Sequence, residues 1–321
     1  MKGKHIVTVR NRRVQFTLEL ERNITVIRGD SATGKTTLVG MLRDYEAQGE
    51  QSGVSLTCDR RCGVLTDRDW EQRLPLFQDS ILFVDEGNAF VSSEEFAKAI
   101  RGSSNYYVLI TRENLHQLPY SVDAILELRV TTSRMRRTYS KTYPYYKVFP
   151  FPSEELARMT RILTEDKKSG FQMFDHIGHL YDTRCESAEG KSRIFAALQE
   201  NHLGRTLVVA DGAAFGADME NVYQLMQLYP GHIVLYLPES FEWLILKAGI
   251  IPGADIDNIL KNPADYIESA QYFSWEQYFT ELLIRLSSMR DYMRYSKEKL
   301  LPFYLQEENV QKILHAMRQK A

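Results

Sequence analysis

The strongest constraint on this chain is the segment at positions 29–36, Gly-Asp-Ser-Ala-Thr-Gly-Lys-Thr. It fits the pattern GxxxxGK[ST] at every fixed position and lies between an apolar strand-like run, 24–28, and a helix-like run, 37–48. Glycines at positions 29 and 34 permit backbone conformations and close approaches that a β-carbon would hinder, so several N–H groups can turn inward. This order of strand, loop and helix predicts a phosphate-binding loop.

The expected chemistry of the loop follows from its side chains and from the helix after it. Lys35 would reach the β and γ phosphates of a nucleotide, and the Thr36 hydroxyl would ligate Mg²⁺. The positive end of the helix adds to the attraction for an anion. The residues predicted to bind the nucleotide are Gly29, Asp30, Ser31, Ala32, Thr33, Gly34, Lys35, Thr36 and Thr37.

A second segment supplies acidic groups. Residues 80–84 form an apolar strand-like run that ends at Asp85 and Glu86. In a parallel sheet this puts both carboxylates at the carboxyl edge, where ligands collect. We expect Asp85 to hold Mg²⁺ through water and Glu86 to polarise the attacking water as a general base.

A third buried-strand pattern covers residues 105–111 and ends at Thr111, with Arg112 directly after it. We expect Thr111 to face the γ-phosphate, and we group both residues with the catalytic candidates. A fourth apolar run, 124–130, completes a set of short strands separated by helix-like or turn-rich segments.

Residues 24–130 resemble the P-loop NTPases that carry a catalytic glutamate beside the Walker B aspartate, a broad group that includes AAA and ABC-type ATPases. Lys35 and Thr36 match the Walker A lysine and hydroxyl. Asp85 and Glu86 match the Walker B pair, and Thr111 falls where such proteins often place a polar sensor. The resemblance implies a parallel sheet preceded by antiparallel strands, and ATP with Mg²⁺ as ligands. The GTPase motif [NT]KxD is absent, which favours adenine as the base.

The segment 129–147 is basic, contains no acidic residue and is rich in tyrosine. Its basic residues are Arg129, Arg134, Arg136, Arg137, Lys141 and Lys147, and its tyrosines are Tyr139, Tyr143, Tyr145 and Tyr146. Such a strip can neutralise phosphates and stack on exposed bases of a nucleic acid. An arginine that reaches a neighbour's γ-phosphate in a homo-oligomer is another use. The third interpretation is an exposed hairpin whose tyrosines pack on the core.

Prolines at 150 and 152 mark a predicted boundary between a P-loop domain, 1–150, and a smaller α/β domain with terminal helices, 151–321. This second half weakly resembles a Toprim domain, a metal-dependent fold of topoisomerases, primases and some nucleases. Residues 189–192, Glu-Gly-Lys-Ser, match the first Toprim motif, and Asp211 with the following glycine matches the second. The resemblance implies a second metal site formed by Glu189, Asp211 and Glu242.

Composition limits the partners. Forty basic and 42 acidic side chains give a formal net charge of −2, so no global field recruits nucleic acid or an anionic membrane. We find no run of uncharged residues long enough to span a membrane. Three cysteines suit a reducing compartment, and the expected location is the cytoplasm.

The sequence therefore predicts an ATPase in which water attacks the γ-phosphate in line and the nucleotide state is coupled to the second domain. One alternative is a nucleotide-gated interaction module with little turnover. Another is an ATP-regulated Toprim-like nuclease that acts on nucleic acid.

Overall fold

The computed structural model describes residues 1–30, 33–134, 137–147, 150–200 and 204–318. Its chain divides into two compact units. Unit 1 comprises Met1–Tyr146 and Asn262–Phe273, and unit 2 comprises Lys147–Lys261 and Ser274–Ala321. The late segment of unit 1 is attached by hydrogen bonds from Gly3 N to Ala264 O, at 2.7 Å, and from Asn23 Nδ2 to Phe273 O, at 3.0 Å.

Unit 1 contains one large sheet with helices on its faces. Its strands in the described chain are β1 (His5–Arg10), β2 (Val14–Leu20), β3 (Ile24–Arg28), β4 (Ser55–Thr57), β5 (Arg61–Leu65), β6 (Ser80–Val84), β7 (Tyr106–Ile110), β8 (Ile125–Arg134) and β9 (Arg137–Pro144). Its helices are α1 (Lys35–Gln48), α2 (Trp70–Arg73) and α3 (Glu94–Ile100).

The strand order of this sheet is β4-β1-β2-β9-β8-β3-β7-β6-β5. Strands β8, β3, β7, β6 and β5 pair in parallel, whereas β1 pairs antiparallel with both β2 and β4. The predicted mixed α/β architecture, with antiparallel strands at the start of the chain, is confirmed.

The connection between β4 and β5 forces this sheet to curl. The two strands lie at opposite edges of the sheet, yet only residues 58–60 separate them. A chain of this length spans at most about 14 Å. The edges of a flat sheet with the same strands would be about 38 Å apart at the usual spacing of about 4.8 Å. The sheet therefore bends until its two edges approach each other.

Helix α1 packs inside the curl. Its Leu38, Val39 and Leu42 are buried in one apolar cluster that also takes side chains from both parts of the sheet. Phe16 lies on β2 in the antiparallel part of the sheet, and Val108 lies on β7 in the parallel part. Because an isolated helix of this length is marginal in water, this burial is what stabilises α1.

Unit 2 is an α/β structure of about the same length as unit 1, with a smaller sheet. Its described strands are β10 (Arg161–Thr164), β11 (Arg184–Ser187), β12 (Thr206–Val209) and β13 (Ile233–Tyr236). Its described helices are α4 (Ser169–Leu180), α5 (Lys191–Glu200), α6 (Gly216–Leu228), α7 (Phe241–Lys247), α8 (Ile256–Lys261), α9 (Trp275–Ser287) and α10 (Glu307–Met317). All strand pairs are parallel, in the order β11-β10-β12-β13, which confirms the predicted second α/β layer.

No helix within the described part of the chain combines the length and the apolar character that crossing a bilayer requires.

We expect Leu38→Ala to lower the free energy of unfolding by about 2–5 kcal/mol, because the side chain is fully buried and its removal leaves a cavity. Urea denaturation followed by circular dichroism measures the change. Leu76→Ala is the control, since Leu76 is 71% exposed, and its midpoint should match the wild type. Equal midpoints for the two variants would contradict the central place of α1.

Candidate functional site

Three predicted segments meet where the parallel strands of the unit 1 sheet have their carboxyl ends, which we call the carboxyl edge. Strands β3, β7 and β6 are adjacent and parallel, so their carboxyl ends lie side by side. The loop at 29–34 follows β3, Thr111 follows β7, and Asp85 follows β6. Neighbouring strands are about 4.8 Å apart, so all three segments lie within reach of one ligand.

Two glycines shape the loop after β3. Gly29 and Gly34 have φ angles of +117° and +92°, in the region that side chains with a β-carbon rarely adopt. A β-carbon on Gly34 would also lie 3.0 Å from the ring of Phe16. Helix α1 begins directly after Gly34, and the first N–H groups of a helix have no intrahelical partner. These groups and the exposed side chains of Thr36 and Thr37 suit an anion.

The ammonium of Lys35 lies inside this loop. Its Nζ donates to Gly29 O at 2.7 Å, to Asp30 O at 2.6 Å and to Thr33 Oγ1 at 3.1 Å. The pKa of Lys35 lies below its usual value, first because the side chain is buried. The Glu86 carboxylate opposes this shift and the Arg112 guanidinium adds to it. Charges from all three strand ends therefore act on one ammonium group.

The acidic loop after β6 is held in place by polar contacts within the loop and with Asp67. Glu86 N donates to Asp85 Oδ1 at 2.9 Å, and Asn88 Nδ2 donates to Asp85 O at 2.8 Å. Asp67, which follows β5, accepts hydrogen bonds from Ala89 N at 3.3 Å and from the next amide. Asp85 is half-buried and Glu86 is exposed, so both carboxylates remain accessible from solvent.

The loop after β7 carries a hydroxyl and a guanidinium. Thr111 Oγ1 accepts a hydrogen bond from Glu113 N at 3.0 Å, which leaves its own proton available to donate. Arg112 Nε lies 3.0 Å from Glu86 Oε1. An ion pair thus connects the predicted general base to the neighbouring strand end.

Arg28 is a functional candidate that the sequence did not reveal. It is the last residue of β3 and is 4% exposed. Its guanidinium donates to Glu113 O at 3.3 Å, to Asn114 Oδ1 and to Tyr146 Oη at 3.3 Å. This side chain ties the start of the glycine-bounded loop to the loop that carries Thr111. A buried arginine looks like any exposed one in a sequence pattern, so no signal marks it.

The structure brings Gly29, Asp30, Thr33, Gly34, Lys35, Thr36, Thr37, Asp85, Glu86, Thr111 and Arg112 to this edge. Ser31 and Ala32 lie outside the described residues.

The basic segment 129–147 forms most of the antiparallel hairpin β8–β9, which lies within the sheet between β3 and β2. Arg129 pairs with Glu127, and its guanidinium lies 5.5 Å from the centre of the Tyr143 ring. Tyr146 is buried, whereas Tyr143 is 37% exposed. Arg136 lies outside the described residues. A nucleic-acid partner for this segment stays a prediction.

Unit 2 carries a separate acidic cluster at the carboxyl ends of β10 and β12. Glu165 follows β10, and its Oε2 accepts from Asp211 N at 3.5 Å. Strand order changes direction between β10 and β12, the position where open α/β sheets form ligand crevices. A cavity of about 40 Å³ lies here, with Glu165, Asp211 and Glu242 in its wall.

Lys297 supplies the positive charge for this cluster. Its Nζ pairs with Glu276 and lies 3.9 Å from Glu242 Oε1, which also accepts from Tyr295 Oη at 2.7 Å. Burial would lower the pKa of Lys297, but Glu242 and Glu276 hold it above its usual value. The ammonium therefore offsets part of the negative charge of Glu242 and Glu276.

The predicted second metal site needs correction. Glu189 does not line the cavity; it is exposed and pairs with Lys167 at 2.8 Å and with Arg193 at 3.0 Å. Instead, Glu165 lies beside Asp211. Within the part of the chain that the structure describes, no three His, Cys, Asp or Glu side chains are arranged to hold a metal ion. The available signal was the position of Glu165 directly after a strand.

A scan against models of protein families and a search of curated proteins each found no match to this chain.

Glu165 makes the stability of unit 2 dependent on pH. Burial raises its pKa to about 7 from an ordinary 4.5, and the Glu276 carboxylate adds to that shift. The folded protein therefore retains a proton that the unfolded chain has released, and stability falls as pH rises between about 4.5 and 7. The charged groups that face Glu165 are Glu276, Lys191, Asp211 and Asp166.

We expect Glu165→Gln to unfold at higher urea than the wild type at about pH 8, with a gain of at most about 3 kcal/mol. The gain should disappear below about pH 4.5, because the wild-type side chain is then also neutral. Glu298→Gln, at an exposed position, should follow the wild-type profile. A gain that is equal at all pH values would contradict the assignment.

Proposed function

We propose that the protein binds ATP with Mg²⁺ and hydrolyses it at the carboxyl edge of the unit 1 sheet, as a P-loop NTPase of the class with a glutamate beside the Walker B aspartate. The observation that carries this proposal is that the loop of Lys35, the pair Asp85 and Glu86, and Thr111 follow the adjacent, parallel strands β3, β6 and β7. A lysine in a glycine-bounded loop, a carboxylate pair and a polar sensor are the groups that phosphoryl transfer requires.

The roles follow from the chemistry of each group. Lys35 and the free N–H groups of the first turn of α1 bind phosphate oxygens. Glu86 accepts the proton of the attacking water, and Thr111 donates its hydroxyl to the transferring phosphoryl group. Lys35 gives up contacts to the loop carbonyls of Gly29 and Asp30 when phosphate oxygens replace them.

The donor set also fits a magnesium ion. Thr36 offers an exposed hydroxyl and Asp85 a half-buried carboxylate, and oxygen ligands are those that Mg²⁺ prefers. Thr36 would hold the ion directly and Asp85 through water. When bound, Mg²⁺ neutralises charge on the phosphate oxygens.

We expect Lys35→Ala to weaken ATP binding by about 10- to 100-fold, the loss of a charge-assisted hydrogen bond. Glu86→Gln should still bind ATP but release phosphate about 10²- to 10⁴-fold more slowly, because the base is lost. Calorimetric titration measures the first effect and single-turnover phosphate release the second.

Matched controls come from the exposed pair Glu94 and Lys98 on α3, which lies outside the site. Lys98→Ala and Glu94→Gln repeat the residue changes of Lys35→Ala and Glu86→Gln at positions outside the site. They should leave ATP binding and turnover at wild-type values. Wild-type turnover in Glu86→Gln protein would remove Glu86 from the mechanism. An absence of ATP binding in the wild type would refute the proposal as a whole.

A nucleotide-gated interaction module is the second candidate, and the ion pair between Arg112 and Glu86 favours it because Arg112 occupies one of the two oxygens that could accept a proton from water. Such a module should release less than about one phosphate per protein per minute with saturating MgATP, far below the range of typical enzymes. Steady-state phosphate release decides between the two candidates. A rate of about one per second or more would exclude the module.

The acidic cluster of unit 2 gives no support to a nuclease, because Lys297 already pairs with Glu276 and lies 3.9 Å from Glu242.

A further inference from the structure

The ion pair between Arg112 and Glu86 lies at the open rim of the proposed site. Arg112 Nε is 3.0 Å from Glu86 Oε1, and the two side chains are 57% and 43% exposed. Because exposed ion pairs contribute little to stability, a stronger anionic ligand can separate this pair at low cost.

The pair has a chemical consequence for Glu86. A general base must accept a proton from a water within hydrogen-bond reach. A carboxylate oxygen that accepts from a guanidinium directs its lone pair and its charge towards that partner instead. In this arrangement Glu86 Oε1 is directed towards Arg112, although the side chain stays 43% exposed.

A terminal phosphate is a better partner for Arg112 than a carboxylate is. It carries more negative charge, and a guanidinium binds phosphate through two parallel hydrogen bonds. Arg112 follows β7, and β7 lies beside β3, whose loop leads to Lys35, the group predicted to bind the γ-phosphate. The guanidinium is thus close to where a γ-phosphate would lie.

The backbone around Arg112 is anchored, so only its side chain needs to move. Glu113 N donates to Thr111 Oγ1 at 3.0 Å, and Glu113 O accepts from the buried Arg28 at 3.3 Å. Arg28 also binds Asn114. These contacts hold the residues on both sides of Arg112.

We propose that Arg112 is a nucleotide-sensing positioning residue. In the absence of nucleotide it holds Glu86, and a bound triphosphate draws it to the γ-phosphate and releases Glu86 to act on water. A diphosphate lacks the group that attracts Arg112, so Glu86 stays paired. This inference rests on the proposed ATP site. It adds that the site becomes active when a triphosphate, and not a diphosphate, is bound.

The test is a double-mutant cycle on nucleotide binding rather than on turnover. Wild type, Arg112→Ala, Glu86→Gln and the double variant are titrated with ADP and with a non-hydrolysable ATP analogue, both with Mg²⁺, by calorimetry. Arg112→Ala should weaken analogue binding about tenfold, the value of one charge-assisted hydrogen bond, and change ADP binding by less than about twofold.

The cycle distinguishes competition from a shared contact. If Glu86 and the γ-phosphate compete for Arg112, the loss caused by Arg112→Ala is larger in the Glu86→Gln background, by about threefold or more. Equal losses in both backgrounds, or equal losses for ADP and the analogue, would overturn the proposal. Arg112→Lys keeps the positive charge but cannot form two parallel hydrogen bonds. It should therefore recover only part of the affinity for the analogue.

Failure of this inference differs from failure of the proposed function. A wild-type protein that binds neither nucleotide refutes the ATP site and this inference together. A protein that binds both, without a preference created by Arg112, refutes only the inference. Lys98→Ala, which removes one side of an exposed pair on α3, should retain wild-type affinity for both ligands.

Discussion

Burial of α1 inside the curled sheet is the interaction on which the rest of unit 1 depends. The short connection 58–60 holds the two sheet edges together, and the apolar side chains of α1 fill the space that this closure creates. The start of the helix is thereby placed at the carboxyl edge of β3. A β-carbon on Gly34 would lie 3.0 Å from the ring of Phe16, so the glycine-bounded loop packs against the same core as the helix.

Charged and polar side chains, rather than apolar contacts, hold the loops at the carboxyl edge of the unit 1 sheet. Arg28 is buried and ties the end of β3 to the loop after β7, while Asp67 holds the loop after β6. These contacts join residues at the ends of four strands, β3, β5, β6 and β7, into a polar network. Burial lowers the pKa of Lys35, the Arg112 guanidinium adds to that shift, and the Glu86 carboxylate opposes it.

Unit 2 shows where sequence reasoning fails. Strands β10 and β11 contain four residues each, and each begins with an arginine. Arg161 is 6% exposed because its guanidinium donates to Thr206 Oγ1 and to Ala197 O. A pattern that treats arginine as exposed does not recognise such a strand. Without that strand, the sequence pattern does not place Glu165 in the acidic cluster, and it predicts Glu189 there instead.

The sequence alone determined the apolar strands, the glycine-bounded loop between β3 and α1, and the carboxylates after β6, because these features are local and periodic. It also indicated two α/β layers. Only the tertiary structure decided which strand ends are neighbours, that Arg112 contacts Glu86, and that Lys297 pairs with Glu276. Such pairings join residues that are distant in the chain, and hydrophobic periodicity contains no information about which charged side chains meet across a sheet edge.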